Sequence, residues 1–310
     1  MAEKILIMGE SGTGKSTSIR NCDPSITAIV NPVGKPLPFR GSKKFTTLNG
    51  ETDSDRIVDF MRKQANNGKK IIIVDDFQYI LAIPYMNRIK ENGWEKWNDF
   101  GENYFKVIDI CKDLPDDVCV YYLTHCETLD NGLTTVKLIG RLLREKITIE
   151  GLFTIVLRTG VSEGKYYFFT QNSGKDTVKS PMGMFDAFSV DNDLAYIDAK
   201  IRNYYEFDDA KSDAEIAKLD EVVAGDIEKP ESRRRRKTHD EVVTENKEKI
   251  EEYLDTVDEA IAEAAGNNES VPLDEVKPVE APELEPVPRR TVEEAVGEIT
   301  PKRRTRRNRE

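Results

Sequence analysis

The chain has 310 residues, with 46 lysines and arginines against 57 aspartates and glutamates, which gives a formal net charge of −11. Its four cysteines form no CxxC pair, and together with only two histidines they are too sparse for a zinc site or a disulfide framework. No apolar run approaches the roughly 20 residues that cross a bilayer, and no signal peptide precedes the first predicted strand, so we expect a soluble protein without a membrane partner in a reducing, cytoplasmic compartment.

Predicted strands and helices alternate through the first half of the chain. Short apolar runs predict strands, and apolar residues at helical spacing predict helices. In chain order the predicted elements are a strand at Lys4–Met8, helical residues after Gly14, a strand at Ile26–Val30, a helix at Ser54–Asn66, a strand at Ile71–Val74, a helix from Trp94 to Cys111 and a strand at Val118–Thr124. This alternation predicts a parallel sheet with right-handed crossovers.

Hairpin signals follow in the second half. Asp-Asn-Gly lies between strand-like flanks in Leu129–Leu138, and a loop with two glycines separates a strand at Leu152–Arg158 from one at Lys165–Thr170. A last helix is predicted over Leu194–Tyr205. The predicted fold class is therefore α/β, with a mainly parallel sheet extended by antiparallel hairpins.

The composition changes sharply from Asp208 onward. Tyr253 is the only aromatic residue in that stretch, whereas 29 of the 57 acidic and 19 of the 46 basic residues lie there. Such a segment buries too little apolar surface to offset the entropy lost on ordering. We therefore predict a folded domain over residues 1–207 and a mostly disordered, charged tail over 208–310, in which the Glu, Lys and Ala content of residues 245–265 favours a partial helix.

The strongest motif follows the first predicted strand. Gly9-Glu10-Ser11-Gly12-Thr13-Gly14-Lys15-Ser16, followed by Thr17, matches G-x-x-x-x-G-K-[ST], the phosphate-binding P-loop. Glycines let the backbone curl so that its N–H groups converge on a phosphate. Lys15 would contact the β- and γ-phosphates, Ser16 would bind Mg²⁺, and a helix beginning near Gly14 would add its positive end. The motif predicts a bound ATP or GTP.

Acidic and polar residues follow two later strands. Asp75 ends an apolar run and is predicted to hold Mg²⁺, while Asp76 is predicted to orient or deprotonate the attacking water, or else only to cap the following segment. Thr124 and His125 end the next strand, at the edge of a parallel sheet where ligands bind. His125 would sense the γ-phosphate there, or serve only as a strand-end residue.

Basic residues cluster in three further places. Lys137, Arg141, Arg144 and Lys146 would contact a DNA backbone or a neighbouring subunit's nucleotide, or form a solvated helix face. Lys179 lies in a polar loop and would complete the nucleotide site as a finger, or remain a surface residue. In the tail, Arg233–Lys237 and Lys302–Arg309 are runs that bind nucleic acid or acidic partners, or carry no function.

Four stretches together resemble a bacteriophage AAA-type ATPase family that includes Sak-type single-strand annealing proteins related to RecA and RadA. They are GESGTGKS, IIIVDDFQYI, GRLLREKITIEGLFTIVL and TQNSGKDTVKSPMGMFD, and the likeness covers about residues 3–200. The resemblance implies a RecA-like P-loop core, ATP and Mg²⁺, single-stranded DNA binding, assembly into rings or filaments and a location in a host cytoplasm. It assigns Gly9–Ser16 as the P-loop, Asp75 as the metal acid and Lys179 as the basic residue that reaches a phosphate. RecA carries a catalytic glutamate after its second strand, where this chain has Asn31-Pro32-Val33.

Three functions remain open from the sequence. The first is an ATPase that binds single-stranded DNA in recombination or annealing. The second is a P-loop kinase acting on a small molecule, which the hairpins and the charged tail disfavour. The third is a nucleotide-dependent scaffold whose tail recruits replication, recombination or packaging partners.

Overall fold

A computed structural model describes residues 1–93, 95–139, 147–222, 243–244, 246–254 and 256. The chain divides into two units, Met1–Pro230 and Glu231–Glu310. In the second unit residues 246–254 are helical, which agrees with part of the helix predicted over 245–265; residues 245, 255 and 257–265 lie outside the described residues. The basic runs at Arg233–Lys237 and Lys302–Arg309 also lie outside them.

Nine strands form one mixed sheet in the described part of the first unit. They are β1 (Glu3–Gly9), β2 (Thr27–Asn31), β3 (Thr46–Asn49), β4 (Ile71–Val74), β5 (Cys119–Thr128), β6 (Thr134–Val136), β7 (Ile155–Ser162), β8 (Lys165–Phe169) and β9 (Ser189–Asp191). Their order is β3-β2-β4-β5-β1-β7-β8-β9, with β6 paired to β5. The strand that leads into the P-loop is therefore central, and β5 separates it from β4, which Asp75 follows.

The sheet is parallel from β3 through β7, and antiparallel pairing begins at β8. The predicted α/β class and the mostly parallel sheet are confirmed. The expectation that both strands of the second hairpin extend the sheet in the antiparallel sense is wrong for β7, which pairs with β1 in parallel, Ile5 opposite Ile155. The β5–β6 and β7–β8 pairs are antiparallel, as the two predicted hairpins require.

Helices cover both faces of the sheet. They are α1 (Ser54–Asn66), α2 (Tyr79–Asn87), α3 (Glu95–Asp109), α4 (Leu194–Tyr204) and α5 (Asp213–Val222). Residues of α1, α2 and α3 share an apolar core with Leu6, Val74 and Tyr122, whereas α4 packs with Ile7, Ile73 and Leu123 on the opposite face. Because successive side chains of a strand point to opposite faces, each central strand contributes to both cores.

The segment after the P-loop motif differs from the prediction. It is a 3₁₀ helix of six residues, Ser16–Asn21, rather than an α-helix. Cys22-Asp23-Pro24 follows, and β2 begins at Thr27, so little length remains for a regular helix. The expectation that a helix beginning near Gly14 adds its positive end is therefore wrong, since two 3₁₀ turns align few peptide dipoles.

The described residues extend the fold past residue 207. Helix α5 packs against α4, with Ile216 buried and Asp220 accepting a hydrogen bond from the Tyr196 hydroxyl at 2.6 Å. Lys200 of α4 forms an ion pair with the same carboxylate at 2.8 Å. Among the helices described, none is long and apolar enough to cross a membrane.

Candidate nucleotide-binding site

The P-loop lies where β1 ends at the carboxyl edge of the sheet. Gly12 and Gly14 have φ values of 82° and 92°, in the left-handed region that glycine adopts without steric cost. Gly9 lies so close to β7 that a Cβ atom there would be 1.9 Å from Thr159 Oγ1. The Thr13 hydroxyl lies 2.6 Å from the same Thr159 oxygen and donates to the Glu10 carbonyl at 2.8 Å. The loop is thus shaped by glycines and braced against the neighbouring strand.

Lys15 is folded back onto this loop. Its Nζ donates to the carbonyls of Gly9 and Glu10, at 2.9 and 2.8 Å, and the residue is buried. Burial lowers the pKa of Lys15, while the nearby carboxylates of Asp76 and Asp75 oppose that shift. An ammonium group has three N–H donors, so two hold the loop and one remains for a ligand.

Ser16 and Asp75 meet across the sheet edge. The Ser16 hydroxyl donates to Asp75 Oδ1 at 2.9 Å, although the two residues are 59 positions apart. Asp75 is fully buried, and its Oδ2 has no hydrogen-bond partner among the described residues. Burial, together with the adjacent charge of Asp76, raises the pKa of Asp75 to about 6.

A buried carboxylate oxygen without a partner is costly unless a cation satisfies it. Carboxylate and hydroxyl oxygens are ligands that suit Mg²⁺, which is usually bound through one or two carboxylates plus substrate phosphates. The orphaned Asp75 oxygen beside the Ser16 hydroxyl therefore fits Mg²⁺ bound together with a nucleotide.

Asp76 is held between two basic side chains. Its backbone has a φ of 54°, and its carboxylate forms an ion pair with Lys35 while His125 Nε2 lies 3.5 Å from its other oxygen. Burial alone would raise the pKa of Asp76, but the hydrogen bond from His125 and the contact with Lys35 lower it to about 2. Asp76 is thus an anion at neutral pH, next to the P-loop.

A buried glutamine, two residues after this acid, contacts the middle of β5, which runs on to Thr128 rather than ending at the predicted Thr124. Gln78 Oε1 accepts hydrogen bonds from the Thr124 hydroxyl and from the His125 amide, both at 3.2 Å. Its Nε2 has no partner among the described residues. Thr124 is fully buried, so it supports the position of His125 rather than facing a ligand itself.

These side chains surround a cavity of about 200 Å³. Six of the nine residues assigned to the nucleotide line it, namely Ser11, Gly12, Gly14, Lys15, Ser16 and Thr17; Asp76 and His125 line it too. Lys35, Pro38 and Tyr166 complete the lining, and the sequence analysis missed all three, together with Gln78. Lys35 follows a parallel strand at its carboxyl end, which is the one sequence signal that points to it.

The remaining assigned residues lie elsewhere. Gly9, Glu10 and Thr13 shape the loop without lining the cavity, and Asp75 contacts it through the lining residue Ser16. Lys179 is exposed, and its backbone pairs with Val156. Val156 in turn pairs with Leu6 in the middle of β1, away from the carboxyl end of that strand. Lys179 therefore does not line the cavity.

Lys137 is the only one of the four DNA-binding candidates within the described residues. It is exposed just after β6, and its amide donates to the His125 carbonyl at 2.9 Å. Arg141, Arg144 and Lys146 lie outside the described residues.

Comparisons with known proteins add no further constraint, because no family model and no curated protein matches this chain.

Proposed function

We propose that this protein is a Mg²⁺-dependent ATPase with a RecA-like P-loop core that acts on single-stranded DNA in recombination or annealing. The observation that carries the nucleotide part is the contact between Ser16 and Asp75. A hydroxyl from the P-loop and a buried carboxylate from another strand meet at 2.9 Å, and one carboxylate oxygen is left for a metal ion.

Each residue has a distinct task in this proposal. Lys15 holds the loop closed with two N–H groups and gives the third to a phosphate oxygen. Ser16 and Asp75 hold Mg²⁺, which neutralises charge on the phosphates. Asp76 and His125 also line the cavity, and in this proposal the Asp76 carboxylate accepts a hydrogen bond from the attacking water.

Hydrolysis by this site does not require a strong general base. The water oxygen bonds to the γ-phosphorus as the bond to the β–γ bridging oxygen breaks, and ADP leaves with that oxygen. The transition state is loose, so orientation and charge stabilisation contribute most. Asp76, with a pKa of about 2, orients the water and receives its proton late.

The DNA part of the proposal is supported by the resemblance over residues 3–200 and by the position of Lys137. A ligand bound at Lys137 acts on His125 through the backbone hydrogen bond between β6 and β5. DNA occupancy and the γ-phosphate end of the cavity are thereby linked through adjacent strands.

One observation favours a second candidate, phosphoryl transfer to a small molecule. A neighbouring cavity of about 460 Å³ shares Lys35 with the first and lies at the carboxyl ends of β2 and β3, where Asn31, Thr47 and Asn49 line it. In a kinase an acceptor hydroxyl would enter from this side.

Release of inorganic phosphate from ATP tests the proposal. With Mg²⁺, the full chain should release phosphate, and a single-stranded oligonucleotide should increase the rate of release. Ser16→Ala should abolish most of the phosphate release. Lys137→Ala should reduce only the increase in rate that the oligonucleotide causes. No phosphate release in any condition would contradict the ATPase. Release that DNA leaves unchanged would remove the DNA role and favour the nucleotide-dependent scaffold.

A further inference from the structure

We propose that Lys35 is a second phosphate-binding cation of this site, and that it exchanges its ion pair with Asp76 for a contact with the terminal phosphate when a triphosphate binds. The inference rests on the proposed function, since it concerns the ligand of the same cavity. It adds a residue that neither the P-loop motif nor the family resemblance assigns.

The position of Lys35 is the first support. It lines the cavity together with Lys15 and Ser16, on the side where Asp76 and His125 lie. Its side chain is 50% exposed, whereas that of Asp76 is 2% exposed. The lysine therefore has room to move toward a ligand, and the aspartate does not.

The backbone of the Lys35 loop is fixed by a buried asparagine at the end of β2. Asn31 Nδ2 donates to the Lys35 carbonyl at 2.7 Å, and Asn31 Oδ1 accepts from the Gly34 amide at 3.0 Å. Gly34 has a φ of 70°, which a side chain would disfavour. A fixed backbone with a half-exposed side chain suits a ligand-binding lysine, because binding then orders little more of the chain.

The charges of the cavity give the direction of the exchange. Without a ligand, Lys35 offsets the buried charge of Asp76, and His125 contacts the other oxygen of that carboxylate. A terminal phosphate carries more negative charge than the Asp76 carboxylate, so it is the stronger partner for Lys35. The hydrogen bond from His125 continues to satisfy Asp76. In the proposed mode of binding the terminal phosphate reaches Lys35 and a diphosphate does not, so Lys35 would distinguish triphosphate from diphosphate.

The test compares the affinity of the full chain for a non-hydrolysable ATP analogue and for ADP, each with Mg²⁺, by isothermal titration calorimetry. Lys35→Ala should weaken the triphosphate analogue by about tenfold, the loss of one charge-assisted hydrogen bond, and change ADP affinity less than about twofold. Lys43→Ala is the matched control, because Lys43 lines only the neighbouring cavity, and it should change neither affinity.

A second variant tests the exchange itself and guards against misfolding of the first. Asp76→Asn removes the competing partner, so the triphosphate analogue should bind several-fold more tightly, and this gain should shrink in the Lys35→Ala background. Equal weakening of both nucleotides by Lys35→Ala, or an Asp76→Asn gain independent of Lys35, would overturn the inference. If the wild-type chain binds neither nucleotide, the proposed function itself fails, which is a separate outcome.

Discussion

At the scale of single residues, the motif positions could be predicted because their chemistry depends on local spacing. Gly12 and Gly14 occupy left-handed conformations, and Ser16 reaches the acid predicted for the metal. Lys35 and Gln78 could not be predicted in the same way. Their roles depend on which strand ends meet at the edge of the sheet, and no local pattern encodes that.

The raised pKa of Asp75 predicts how the free energy of unfolding changes with pH. Its folded pKa of about 6 lies above its ordinary value of 3.8, so the folded state binds the proton more tightly, and stability from this group is lost as the pH rises through about 6. In EDTA at pH 7.5, Asp75→Asn should therefore raise the free energy of unfolding by about 1–3 kcal/mol, with a smaller gain at pH 5. Urea denaturation at both pH values checks this. A variant less stable than wild type at pH 7.5 would show that Asp75 Oδ2 also has a partner in the ligand-free protein.

At the scale of secondary structure, the elements that have a continuous apolar run or a regular helical periodicity were predicted well. β4 and α1 have the predicted bounds, and α4 ends one residue earlier than predicted. β3 was missed because Thr46–Asn49 has no apolar run, and α2 because Pro84 lies inside it. The helix after Gly14 is a short 3₁₀ helix because β2 begins soon after it and leaves too few residues for a longer α-helix.

A buried arginine connects helix α4 to the sheet, and we expect its removal to lower the free energy of unfolding. Arg202 donates to Asp198 at 2.7 Å and to the carbonyls of Lys70 and Asp117 at 2.9 and 3.0 Å. Arg202→Ala leaves Asp198 buried without its cation, so we expect a loss of about 3–5 kcal/mol in the free energy of unfolding.

Urea denaturation measures the effect, with Arg62→Ala as the control on an exposed face of α1, where we expect a change within about 0.5 kcal/mol. A cost for Arg202→Ala as small as that of the control would mean that apolar packing and the Tyr121–Asp198 hydrogen bond hold α4 without Arg202.

At the scale of the whole molecule, the aromatic content predicted where folded chain would give way to charged tail, and it placed that point at residue 207. Helix α5 lies beyond it, because Ile216 packs on the core although the segment carries no aromatic residue. Composition averages over a window and does not register one helix anchored by Ile216, Leu219 and Asp220.

Two truncations test the extent of the first unit. A chain ending at Val222 should unfold cooperatively with nearly the midpoint of the full protein, since it retains α5. A chain ending at Phe207 should be less stable by about 1.5–3 kcal/mol, the value of burying one large aliphatic side chain. Thermal denaturation followed by circular dichroism compares them. Equal midpoints would show that α5 adds nothing to the fold.

The central claim is that Lys15, Ser16 and Asp75 form a site for Mg²⁺ and a nucleoside triphosphate. Calorimetric titration of the full chain with ATP, with Mg²⁺ or with EDTA, tests it most directly, using Lys15→Ala as the comparison. We expect binding that Mg²⁺ strengthens, and a loss of about 10- to 100-fold in Lys15→Ala, which removes a charged hydrogen bond to phosphate. A folded Lys15→Ala protein that binds ATP as tightly as wild type, or wild-type binding indifferent to Mg²⁺, would contradict the account.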